Sequence, residues 1–142
     1  MEVLTQYAVQ EIDWPSKTYI SIRGTRTFDE LPHFFRESYM LIYEALRKAG
    51  VVPLDMPCGL YYQVDAEHNR VDLAAAVQVE PGTEKIGYFD RVTIPATKAL
   101  AVTYYGPYEA MHEAYDELDK YTYAHGLHKQ LVVEEYFSDP ST

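Results

Sequence analysis

Apolar positions change their period along this chain in a regular order, and that order predicts the elements. "VLTQYAVQEI" at 3–12 and "KTYISIRG" at 17–24 alternate apolar with polar residues as half-buried strands do, with "DWPS" as the turn between them. The period then lengthens to that of a helix. In "TRTFDELPHFFRESYMLIYEALRKAG", residues 25–50, an inward stripe of Leu31, Phe34, Phe35, Ser38, Ile42, Ala45, Leu46 and Ala49 runs to a stop at Gly50. Its start reads as Thr27 and Glu30 at capping-box spacing, or as Asp29 at the N-cap with Pro32 in the first turn. Past Pro53 and Pro57, "GLYYQVD" and "VDLAAAVQV" read as a hairpin joined through "AEHNR".

The second half repeats the order. A strand around "YFDRVTIP" is followed by "KALAVTYYG" as another, then a helix "YEAMHEAYDELDKYTYAHG" with Met111, Tyr115, Leu118 and Thr122 inward and Gly126 as its stop, then the strand "QLVVEEYFSDP". Superimposing Gly24 on Gly106 aligns strand and helix start in the two halves. The expected fold class is therefore α+β. It consists of two strand-helix-strand-strand modules in pseudo-two-fold repeat, at about 1–80 and 84–142, within one domain spanning 1–142.

Composition narrows the function classes. With 22 acidic against 12 basic side chains the formal charge is −10, which repels nucleic acid and anionic lipid and favours cations. Neither a secretory leader nor an apolar run of the ~20 residues that span a bilayer is visible, so a cytoplasmic protein away from membranes is expected. The single cysteine, Cys58, excludes an internal disulfide, and it lacks an evident activating base. His125 and His128 straddle the Gly126 stop with no third ligand in view, so no metal and no cofactor are expected. Fourteen tyrosines against one tryptophan offer many broad apolar faces with polar tips, although sheets also use tyrosine simply as a strand former.

Two segments carry a family likeness. "YYGPYEAMHEAYDEL" resembles the glycine-proline-tyrosine segment opening the second helix of the GyrI-like family, the effector-binding domain also attached to some AraC-type and MerR-type regulators. "EEYFSDP" resembles that family's closing Glu-x-Tyr-x-x-Asp-Pro, matched by Glu134, Tyr136, Asp139 and Pro140. The resemblance implies a concave antiparallel sheet with both helices on its convex side and a ligand cleft, built of two such modules (SHS2 modules), with the closing glutamate at the cleft floor. It also implies ligands that are flat, apolar and often cationic. Some stand-alone members of the family resemble hydrolases that open cyclopropane rings, and others act by protein contact, as in gyrase inhibition. Two departures stand out: the family usually continues with a strand after Asp-Pro, and it often has a tryptophan where this chain has Tyr121. A second module left incomplete would expose a sheet edge, so a monomer or an edge-covering dimer is expected.

Strand alternation assigns side chains to faces. With Ile20 and Ile22 under a helix, Tyr19, Ser21 and Arg23 face the cleft. Leu60, Tyr62 and Val64 read as core, leaving Tyr61, Gln63 and Asp65 opposite; Asp72, Ala74 and Ala76 join them, the alanines leaving room for a flat ligand. Val133 and Phe137 read as core, so Val132, Glu134 and Tyr136 face the cleft, while Glu135 lies on the helix side and is expected to reach solvent at an edge or to meet a cation. For Tyr104 and Tyr105 two phases remain open. The candidate ligand-binding residues are thus Glu134, Tyr136, Tyr19, Tyr61, Tyr104 and Tyr105. An aromatic cleft holding one carboxylate suits a planar cation, the expected partner being an aromatic or cationic small molecule. The alternatives are a hydrolase with Glu134 as the catalytic base activating water, and an inhibitor acting through protein contact.

Overall fold

Alternation along Lys17–Arg26 sends Ile20 to one face and Tyr19 and Ser21 to the other, and all three are buried, so this strand is covered on both sides. In the computed structural model, which describes residues 8–107 and 110–136, the chain runs in this order. Strands β1 (Gln10–Trp14) and β2 (Lys17–Arg26) lead through a 3-10 turn (Phe28–Glu30) into helix α1 (Leu31–Ala49). Strands β3 (Cys58–Asp65), β4 (Arg70–Val79), β5 (Asp90–Ile94) and β6 (Thr97–Ala101) follow, then helix α2 (His112–Ala124) and strand β7 (Val132–Glu135). The fold is α+β with antiparallel sheets: a five-stranded one in the order β5-β2-β4-β3-β7 and a two-stranded one of β1 and β6.

Contacts group the described chain into two compact units. One joins the residues up to Pro15 with Ala96–Lys129; the other joins Ser16–Pro95 with the chain from Gln130 onward. These are not the sequential modules of about 1–80 and 84–142, because β7 returns to pair with β3 and β1 pairs with β6. The order strand-helix-strand-strand is seen once, as β2-α1-β3-β4; its counterpart β6-α2-β7 reaches the end of the described residues after Tyr136.

In the larger unit α1 packs over β4 and β2. Glu30 Oε1 accepts a hydrogen bond from the Thr27 N–H at 2.8 Å, Pro32 falls in the first turn of α1, and Gly50 ends it at φ 71. Phe34, Phe35, Ser38, Ile42 and Leu46 are buried as the stripe predicts; Ala49 is exposed, and Tyr39, one turn after Phe35, takes a place in the core. Beneath them lie Ile20, Val71, Leu73, Ala75, Val77 and Val79. Full burial of each large aliphatic here contributes about 1.5–3 kcal/mol. The β3–β4 turn carries Asn69 at φ 52, and Asn69 Oδ1 accepts from the Phe28 N–H at 3.0 Å, tying the hairpin to the start of the helix.

The smaller unit is a ribbon and a helix. β1 and β6 pair from Gln10↔Ala101 to Trp14↔Thr97, and the Tyr121 hydroxyl of α2 donates to Glu11. Along α2, Met111, Tyr115, Leu118 and Thr122 are half-buried beside buried Ala114. Two expectations are corrected. Asp13 and Trp14 extend β1 where a turn was expected, the indole being a good strand former. β6 stops at Ala101, so Tyr104 and Tyr105 lie beyond it and neither strand phase applies to them.

Candidate functional site

A glycine in β3 makes the central feature possible. A Cβ on Gly59 would come 2.7 Å from Tyr136 Oη, 2.9 Å from Tyr61 Cε2 and 3.3 Å from Phe35 Cζ, so three rings converge on the space that its missing side chain leaves. The register Gly59↔Glu134 and Tyr61↔Val132 places Glu134 and Val132 on the same face as Tyr61. Tyr136 follows, its N–H donating to Pro57 O at 3.0 Å. The Tyr136 hydroxyl donates to Glu134 Oε1 at 2.5 Å, and since that uses its one proton, Tyr61 donates to Tyr136 across 2.8 Å. Phe35 meets the Tyr136 ring edge-on at 5.6 Å and stacks with Tyr39 at 5.7 Å. The Tyr39 hydroxyl donates to Cys58 O at 2.6 Å. Burial first, then the fields of Tyr61 and Glu134, raise the Tyr136 phenol well above its ordinary value, so it remains a proton donor to the half-buried carboxylate.

This face is the one under α1, which reverses part of the expectation. Tyr61, Glu134 and Tyr136 share a face, but it is the α1 face, whereas Tyr19 lies on the other one. The cause is the pairing of β3 with β4: Leu60 lies opposite Ala74 and Tyr61 opposite Leu73, so the alternation runs in the phase opposite to the expected one, and the register shift between Tyr61 and Gln63 moves only the residues beyond Tyr62. Leu60 and Tyr62 therefore point away from α1, and Val133 joins them. Nor do Ala74 and Ala76 leave room for a ligand, because Tyr19, Leu60 and Cys58 pack against them and all five side chains are buried. Burial raises the Tyr19 phenol strongly and pushes the Cys58 thiol up to about 12, which leaves that cysteine a packing residue. Glu135 sits opposite Cys58 on the face away from α1, and β7 is an edge strand; its carboxylate accepts from Lys17 Nζ at 3.2 Å.

The remaining candidates belong to the smaller unit. Tyr104 folds back so that its hydroxyl donates to Pro107 O at 2.5 Å, under a Gly106 whose φ of 145 suits glycine. Tyr105 is 85% exposed. Asp139 and Pro140 of the closing motif lie outside the described residues. Among the described residues no three His, Cys, Asp or Glu side chains gather as metal ligands, and no helix is long and apolar enough to cross a membrane.

Sequence reasoning missed Arg23, Tyr62 and Asp72 as a set, because the expected phase of β3 put Tyr62 on the α1 face with Leu60. The Arg23 guanidinium lies 3.8 Å from the Tyr62 ring centroid and donates from Nε and Nη2 to both Asp72 oxygens, at 3.0 and 2.8 Å. That hydrogen bond holds the Asp72 carboxyl below its ordinary range, against a smaller opposing effect of burial. Its pKa is depressed in the folded state, so its stabilisation is complete at neutral pH and disappears as acid protonates it. For so exposed a pair the contribution is about 0.5 kcal/mol. Urea denaturation is expected to show Asp72→Asn less stable than wild type by that amount near pH 7, with the difference closing at about pH 2. A gap that stays constant with pH would assign the loss to packing.

Comparisons with known proteins agree on the fold. EcmrR in its DNA complex, solved by cryo-EM, superposes at TM-score 0.74 with 22% identity over 94% of this chain, and this chain spans only 50% of that one. The crystal structure of the EcmrR C-terminal domain gives 0.73 with 21% identity, covering 93% of this chain and 85% of that one. SAV2435 bound to tetraphenylphosphonium gives 0.56 with 16% identity, covering 97% and 87%. A search of curated protein sequences gives no match. The family model described as GyrI-like small molecule binding domain matches residues 7–142, nearly the whole sequence, and this chain belongs to the GyrI-like family.

Proposed function

We propose that this chain binds hydrophobic, planar, cationic small molecules at the Glu134 cluster. The observation that carries the reading is a half-buried carboxylate held by the Tyr136 hydroxyl at the margin of an aromatic cluster. The negative charge of this carboxylate attracts a bound cation without needing a dedicated hydrogen bond to it. The half-buried Tyr61 ring adds a π-face, worth ~0.5–2 kcal/mol to a desolvated cation. SAV2435, a neighbour in fold, is bound to a hydrophobic cation, which supports the ligand class. A formal charge of −10 favours the approach of cations and works against direct contact with DNA. Of the six candidate residues, Glu134, Tyr136 and Tyr61 form this site. Tyr19 is assigned to the core of the opposite face.

The test is a titration with rhodamine 6G, a fluorescent planar cation, on wild type and Glu134→Gln. The glutamine carbonyl still accepts the Tyr136 hydrogen bond, so the substitution removes charge while keeping the packing. Wild type is expected to saturate, and the variant to bind about tenfold more weakly, ~1.4 kcal/mol. Equal affinity in the two proteins, or no saturable binding by wild type, would overturn the proposal.

A further inference from the structure

On the face away from α1 lies a cavity of about 450 Å³, lined chiefly by Ser21, Arg23, Tyr62, Lys85, Asp90 and Val92. Its size falls in the range of small-molecule sites. The register Ser21↔Asp90 and Tyr19↔Val92 sets Ser21, Asp90 and Val92 together on this face. Arg91, paired with Ile20, also lines the cavity; its guanidinium donates to Thr83 O at 2.6 Å and Pro81 O at 2.5 Å and so holds the loop that carries Lys85.

Three polar groups here are without a hydrogen-bond or ion-pair partner among the described residues. Ser21 is 1% exposed, and its hydroxyl is buried at the cavity with nothing to bond. Burying a hydroxyl unsatisfied is costly, and a ligand atom reaching it recovers that cost. Lys85 and Asp90 carry opposite charges into the same cavity without pairing to each other. Arg23, by contrast, is already neutralised by Asp72, so together with Tyr62 it offers a rigid flat wall rather than net charge. Besides the Arg91 guanidinium, which is committed to the Thr83 and Pro81 carbonyls, the cavity thus presents one ammonium, one carboxylate, one hydroxyl and a flat side completed by Val92.

We infer that this cavity is a second ligand site, for a small aromatic zwitterion of the amino-acid type. The ligand carboxylate faces Lys85, its ammonium faces Asp90 and Ser21, and its ring lies along the Tyr62 and Val92 side. A ligand carrying both charges satisfies both protein groups, whereas one carrying a single charge leaves the other desolvated and unpaired. The site uses neither Glu134 nor Phe35 and is independent of the reading above.

Calorimetric titration with L-phenylalanine tests this, beside phenethylamine, which lacks the carboxylate, and 3-phenylpropionate, which lacks the ammonium. L-phenylalanine is expected to bind saturably and each one-charge analogue at least tenfold more weakly. Asp90→Asn is expected to abolish the preference over 3-phenylpropionate, and Lys85→Met the preference over phenethylamine. Both side chains are exposed, so both variants should fold, with unchanged circular dichroism and unchanged rhodamine 6G binding. Loss of dye binding in Glu134→Gln with L-phenylalanine affinity retained would show the two sites to be separate. The inference is overturned by no binding of L-phenylalanine, by equal binding of the three compounds, or by indifference to both substitutions.

Discussion

Phe35→Ala is expected to lower stability by about 3–5 kcal/mol, the cost of emptying a buried aromatic position. Phe35 is 3% exposed and touches Phe34, Tyr39 and Tyr136 with its ring. The gap would open over Gly59, which has no side chain to refill it, so relaxation around the cavity is limited. In a domain of this size the loss lowers the melting temperature by on the order of 10 °C. Urea and thermal denaturation check this against Tyr88→Ala, at a fully exposed position, which is expected to change stability by about 0.5 kcal/mol at most. A Phe35→Ala loss below about 1 kcal/mol would mean that the aromatic cluster is not the packed unit described. Affinity for a planar cation should fall as well, because Tyr136 would lose the ring that sets its position relative to Glu134.

How far this cluster was legible in the sequence depended on the kind of signal each residue carries. Helix α1 and the β3–β4 hairpin were legible because burial there follows one period: Phe34, Phe35, Ile42 and Leu46 recur on one side, and polar residues mark the turn at 66–69. That Glu134 and Tyr136 share a face followed from alternation alone. Which face it was could not be read, since alternation fixes only relative orientation, and the choice depended on which neighbour supplied the space. Gly59 supplied it on the α1 side, while Ala74 and Ala76 on the other side were filled by Tyr19 and Leu60. Tyr61 and Tyr62 exchange faces because Leu60, apolar but packed on Ala74, suggests the wrong phase for β3, while the bulge after Tyr61 moves only the residues beyond Tyr62. Tyr104 escaped because its hydroxyl bonds the Pro107 carbonyl in a loop, and a local bond of this kind carries no periodicity.

Gly59→Ala is expected to cost about 1–3 kcal/mol by overpacking, and its comparison with Gly50→Ala separates two reasons for glycine. At Gly50 an added Cβ meets nothing within 4 Å, but φ is 71, so alanine there costs about 1 kcal/mol of backbone strain. Asparagine, which tolerates the left-handed region, should recover part of that loss. At Gly59 the obstacle is contact with Tyr136 Oη at 2.7 Å, and that hydroxyl is fixed between Glu134 and Tyr61. Asparagine at 59 is larger and should be worse than alanine. The two positions also differ in function: rhodamine 6G affinity should fall in Gly59→Ala and hold in Gly50→Ala, since only the first pushes the phenol off the carboxylate. If Gly59→Ala proved as mild as Gly50→Ala and left dye binding intact, the three rings would be free to give way. Glu134 would then not be held by Tyr136 in the manner on which the proposed binding rests.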